Sequence, residues 1–192
     1  MNKNLDEFLS DFMKNFLTES KNALYSLDSI LKSHKINYII IGGMAIIKYK
    51  YSRTTDDIDI LVDKKDKIKI ENLPIGFIKK VSNKKFLLHE PKHIVEIIYS
   101  DEISGDGING LVFPSPSKIS EIIDGLPYIS LDKLVEFKLS SGIYGKRHQD
   151  IADVQELIRK NKLNKKYGDN FRKDLKKKYL EIWQDAQEEF RD

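Results

Sequence analysis

An apolar run ending in two glycines, followed one helix later by a strand of alternating carboxylates, constrains this chain more than any other feature. Residues 37–41 (NYIII) are continuously apolar after the Asn, which predicts a short strand buried on both faces. Gly42-Gly43 follows at once, and residues 44–51 read as a helix. Strand, tight glycine turn and helix together outline an arrangement that cradles phosphate. Residues 57–62 (DIDILV) then read as a second strand. Side chains two apart in a strand share a face, so Asp57 and Asp59 point one way while Ile58 and Ile60 enter the core.

Two carboxylates held this close repel each other unless a cation lies between them. Ligation by oxygen alone favours Mg²⁺ or Mn²⁺ over Zn²⁺. A third acid fits the pattern: Glu96 stands alone among apolar residues in VEII, on a later strand, where an unpaired carboxylate is costly. Asp57, Asp59 and Glu96 therefore form a candidate metal-binding and catalytic set for two-ion phosphoryl or nucleotidyl transfer. Gly42 and Gly43 are the candidate phosphate-approach residues, their backbone N–H groups free to meet phosphate oxygens. Arg53 is a candidate clamp for the same phosphates; with five Arg against 28 Lys, each guanidinium fork carries more weight.

The segment IIIGGMAIIKYKYSRTTDDIDILV resembles the signature of the nucleotidyltransferase superfamily, the DNA polymerase β-like fold. Within it, the chain is most similar to AbiEii-type toxin nucleotidyltransferases and related minimal members. A later segment, LVEFKLSSGIYGKRHQDIADVQELI, resembles that family's helical motif. The resemblance covers residues 36–160. It implies that Lys138 contacts a triphosphate, that Arg147 supports it, that Asp150 is a late functional acid and that Asp153 is structural. It also implies an NTP substrate, Mg²⁺ (or Mn²⁺) as cofactor, RNA (tRNA) or a protein as acceptor, and an antitoxin protein as partner. The third carboxylate is Glu96 where the family has Asp, and the spacer from Lys138 to Asp150 is short.

Around this centre the pattern predicts an α+β fold: a mixed β-sheet core with flanking helices and a helical C-terminal portion. Amphipathic helices are expected over 6–17 and 20–34, and a charged surface helix over 63–71. Three strands are expected over 77–81, 85–89 and 94–99, with Asn83 and Glu90-Pro91-Lys92 as turns. Helices are expected over 115–124, where Pro116 signals a start, and over 132–141, 149–160 and 169–190. The organisation expected is N-terminal helices to 35, a sheet-bearing nucleotidyltransferase core over 36–115, and a helical region over 116–192.

Apolar residues make up 40% of the 192 and charged residues 33%, which excludes disorder as the main state. Cysteine is absent, excluding a disulfide framework, a thiolate zinc site and a cysteine nucleophile. Asp6 and Glu7 stand where a signal peptide has its apolar stretch, and the longest apolar run, 38–47, is half a membrane span. A cytoplasmic protein without a membrane partner is expected. The H-E-x-x-H spelled by residues 89–93 needs a helix, which Pro91 disfavours. Ten Lys or Arg against two Asp over 159–178 suggest an RNA footprint with Tyr167 and Phe171 for stacking. The alternative to an enzyme is a non-catalytic module binding nucleotide, RNA or a partner. A small-molecule enzyme of the aminoglycoside type would instead show an acidic cleft.

Overall fold

The computed structural model describes residues 3–188 apart from 52, 56, 74–77 and 83. The expected turn at Asn83, the strand start at Phe77 and the final residues 189–190 of the last helix lie outside them. The chain opens with α1 (Lys3–Ser33), one continuous helix where two were expected. Thr18-Glu19-Ser20 carries neither Gly nor Pro, and the Thr18 hydroxyl bonds back to the Lys14 carbonyl within the helix, so nothing there interrupts it.

The strands are β1 (Tyr38–Ile40), β2 (Asp57–Val62), β3 (Ile78–Lys80), β4 (Lys85–Leu88) and β5 (His93–Tyr99), with α2 (Gly42–Lys48) and α3 (Lys67–Glu71) between the first three. The helix expected over 115–124 is replaced by a 3₁₀ turn (Pro116–Lys118) and a hairpin, β6 (Ser120–Ile123) and β7 (Leu126–Ile129). Asp124 and Gly125 take φ of 49° and 78°, as an Asp-Gly hairpin turn requires. The sheet therefore runs on to Ile129, past the expected core boundary at 115. It has seven strands in the order β3-β4-β5-β2-β1-β7-β6. Three helices complete the chain: α4 (Leu131–Tyr144), α5 (His148–Asn161) and α6 (Lys173–Glu188).

Register decides which face does what. In the parallel β2–β5 pair Asp59 lies beside Glu96, and in the antiparallel β4–β5 pair Glu96 lies beside Lys85. Asp57, Asp59, Glu96 and Lys85 consequently share one face of the sheet. Ile58, Ile60, Val95 and Ile97, all fully buried or nearly so, share the other. Tyr38 pairs with Val62 on that second face, and its hydroxyl donates to Asp28 of α1 at 2.7 Å. The back of the sheet is thus packed by α1, through Ala23, Leu24, Leu27 and Leu31. The front is left to α4, α5 and the acids. No helix among the described residues is long and apolar enough to cross a membrane.

Candidate active site

The front-face cleft is lined by residues from seven parts of the chain. Gly42, Asp59, Glu96, Lys138, Arg147 and Asp150 supply its polar side, and Phe113 and Phe137 contribute to an apolar one. Its empty volume is about 630 Å³, solvent mouth included. Six of the nine site residues expected from sequence therefore meet here. Gly43, Asp57 and Arg53 stand just outside the lining.

The two glycines are required first by the acid and only then by any ligand. Gly42 has φ +61°, and a Cβ there would sit 1.9 Å from Asp59 Oδ2. A Cβ on Gly43 would lie 2.4 Å from Thr55 Oγ1. With no side chain in the way, the start of α2 closes onto β2 and the Gly43 N–H donates to the Asp59 carboxylate. Asp59 is nonetheless poorly solvated. Burial, then the neighbouring Glu96 charge, pushes its carboxyl up to about 6, against the pull of Lys138 and the Gly43 N–H. A carboxylate raised in this way is short of positive charge.

Asp57 and Glu96 are supplied differently. The Lys85 ammonium lies 2.9 Å from Asp57 Oδ2 and 3.2 Å from Glu96 Oε2, and Asp57 first, then Glu96, holds it more firmly protonated than an ordinary lysine. With Lys85 drawing Asp57 and Glu96 together and Asp59 turned to Gly43, no three acids converge as a ligand group among the described residues. The donor set still suits a hard divalent ion: carboxylate oxygens only, on neighbouring strands about 4.8 Å apart.

The helical side is a second charge cluster. Lys138, buried on α4, places its ammonium 2.5 Å from Asp150 Oδ1 and 2.9 Å from Asp153 Oδ2 on the first turns of α5. Arg147 Nε stands 3.2 Å from Asp150 Oδ2 with its side chain 67% exposed. Asp153 is fully buried and also takes Gln149 at 3.1 Å. Arg53 lies against this cluster rather than in the cleft: its Nε is 3.3 Å from Asp153 Oδ1, and it donates to the Thr54 carbonyl. The sequence expectation of a phosphate clamp thus meets a guanidinium turned toward α5.

Sequence reasoning missed Lys85, Phe113 and Phe137. Lys85 is one lysine among 28, singled out only by its register opposite Glu96. The two Phe rings stack at 4.2 Å with 4° between planes, a long-range pairing with no local signature. The expected stacking residues of the basic segment are not available for that role. Phe171 is buried, and Tyr167, Phe171 and Tyr179 pack against one another. Several of its charges are paired internally, Arg172 with Asp174, Lys176 with Asp169 and Lys178 with Glu181. In the H-E-x-x-H segment, His89 follows β4, His93 opens β5, and the residues between form a turn.

Among solved structures, the chain resembles the antibiotic-resistance factor ANT(2″)-Ia in solution, with a TM-score of 0.55 at 11% identity over 91% of this chain and 98% of that one. It also resembles an antigenic nucleotidyltransferase-like protein from Paracoccidioides brasiliensis, with a TM-score of 0.54 at 16% identity over 88% of both chains. The chain has the nucleotidyltransferase fold. By sequence it matches no protein-family model and no curated protein. The nucleotidyltransferase fold here is the mixed seven-stranded sheet with its flanking helices, and the acids read from sequence lie on its front face.

Proposed function

We propose that this chain is a nucleotidyltransferase that moves an NMP from an NTP onto a hydroxyl acceptor with Mg²⁺ or Mn²⁺. The observation carrying the reading is the juxtaposition of Asp59 with Glu96 on parallel β2 and β5, in one cleft with Gly42, Lys138, Arg147 and Asp150. Asp57, Asp59 and Glu96 would hold the divalent ions, which when bound neutralise triphosphate charge and acidify an acceptor hydroxyl.

The chain's own residues do the rest. Gly42 and Gly43 let the start of α2 close onto Asp59 and Thr55, which sets the Asp59 carboxylate in the cleft. Arg147, exposed at the mouth, offers its fork to phosphate oxygens. Lys138 lines the cleft and would contact the triphosphate while Asp150 and Asp153 hold its ammonium in place. The apolar wall of Phe113 and Phe137 suits the flat face of a base. The acceptor oxygen attacks the α-phosphorus as the bond to the β-bridging oxygen breaks. Pyrophosphate leaves, and the hydroxyl proton passes to Glu96 or Asp59 and on to water. The family resemblance suggests RNA (tRNA) or a protein as acceptor and an antitoxin as partner.

The alternative, a non-catalytic nucleotide, RNA or partner-binding module, is favoured by one observation. Lys85 already bridges Asp57 and Glu96, and Lys138 already bridges Asp150 and Asp153. Calorimetry separates the two. Catalysis predicts Mg²⁺-dependent NTP binding that Asp59→Asn abolishes and Arg147→Met weakens about tenfold, the worth of one charge-assisted contact. NTP affinity indifferent to Mg²⁺ and to Asp59→Asn favours the module.

A further inference from the structure

The candidate metal acids do not share their counter-charges equally. Asp59 meets the Gly43 N–H, whereas Asp57 and Glu96 both meet Lys85. Lys85 reaches them from β4, directly across from Glu96, so three neighbouring strands carry Lys85, Glu96 and Asp59 in one row. We propose that Lys85 is a displaceable counter-ion of this centre: its ammonium bridges Asp57 and Glu96 and must leave them before a divalent cation can use both carboxylates. The inference rests on the reading of these acids as metal ligands.

The contrast with Lys138 makes the assignment specific. Lys138 is also bound by two carboxylates, but its side chain is only 11% exposed and both partners are buried. Removing that ammonium would take the closest partner from two buried charges. Lys85 is 43% exposed and its partners about a third exposed. It sits on a flexible four-carbon stem that can move its charge into water without leaving the sheet. One lysine is built to stay and the other can swing away. Displacement has a second consequence. An ion that must evict Lys85 binds weakly alone and better when a triphosphate adds its own oxygens, so the lysine ties metal entry to nucleotide arrival.

The test is Mn²⁺ binding to the full chain, read from the free-ion electron paramagnetic resonance signal, without nucleotide and with a non-hydrolysable NTP analogue. Lys85→Met keeps the stem and removes the charge; Lys85→Arg keeps the charge. Expected are Mn²⁺ binding about five- to tenfold tighter in Lys85→Met without nucleotide, the most that exposed ion pairs are worth, and near wild-type affinity in Lys85→Arg. The nucleotide-induced gain in Mn²⁺ affinity shrinks in Lys85→Met. Unchanged or weaker Mn²⁺ binding in Lys85→Met, with Asp57→Asn and Glu96→Gln still abolishing it, overturns the counter-ion role alone and leaves Lys85 a strand clamp. Mn²⁺ binding insensitive to Asp57→Asn and Glu96→Gln, or absent from every variant, overturns the metal centre and the inference together.

Discussion

At the scale of single residues, the site is a set of charges placed against their own solvation. Asp59 is the clearest case. Its folded carboxyl is raised to about 6, against about 3.9 in an unfolded chain. Above pH 6 it is ionised in both states, and the folded state carries the desolvation cost. Below 6 the folded state takes up a proton that the unfolded chain does not bind until about pH 4, so this group makes the metal-free protein more stable as pH falls from 7 to 4. Asp59→Asn is therefore expected to stabilise the metal-free protein at pH 7.5 by ~1–3 kcal/mol. That advantage should fade toward pH 4 in urea titrations; a destabilised Asn variant at pH 7.5 would contradict the assignment. Gly42→Ala tests the opposite face of the contact. It needs φ +61° and sets a Cβ against Asp59, so a loss of ~2 kcal/mol or more is expected from the left-handed backbone and the clash together. The two Asp and two Gly were legible in sequence because strand alternation and a glycine pair are local signals. Lys85 was not, because its role depends on the register between β4 and β5.

At the scale of elements, two contacts position the chemistry: β2 beside β5, and α4 against α5. The second depends on Lys138 holding Asp150 and Asp153. Lys138→Met would leave two buried carboxylates without that partner and is expected to cost ~3–5 kcal/mol, read as a lower urea midpoint with unchanged slope. A loss below ~1 kcal/mol would mean the α4–α5 clasp is held elsewhere. The residues of this clasp entered the sequence reading through a family resemblance, since a Lys and an Asp twelve apart carry no local signal of contact. The β6–β7 hairpin shows a conflict of local signals. Pro116 suggested a helix start, and it does open a turn of 3₁₀ helix. The stronger signal was Asp124-Gly125, whose positive φ angles are those of a two-residue hairpin. Once the chain reverses there, Leu126, Tyr128 and Ile129 are buried and β7 joins β1 in parallel.

At the scale of the whole molecule, a single sheet separates structural work from candidate chemical work. The back face, under α1, is apolar and closed, and the front face holds both charge clusters. This division was legible from the alternation of Asp and Ile in β2. The extent of the sheet to Ile129 was not, because it depends on strand pairing distant in sequence. The account's central claim is that the front-face acids form a nucleotidyl-transfer centre. Label transfer tests it most directly: purified protein with Mg²⁺ or Mn²⁺, each α-labelled NTP in turn, and total cellular RNA and protein as acceptors, beside an Asp57→Ala/Asp59→Ala double variant. The account predicts label in RNA, in a protein band or in the chain itself, absent with the double variant. Equal labelling by the folded double variant would contradict it.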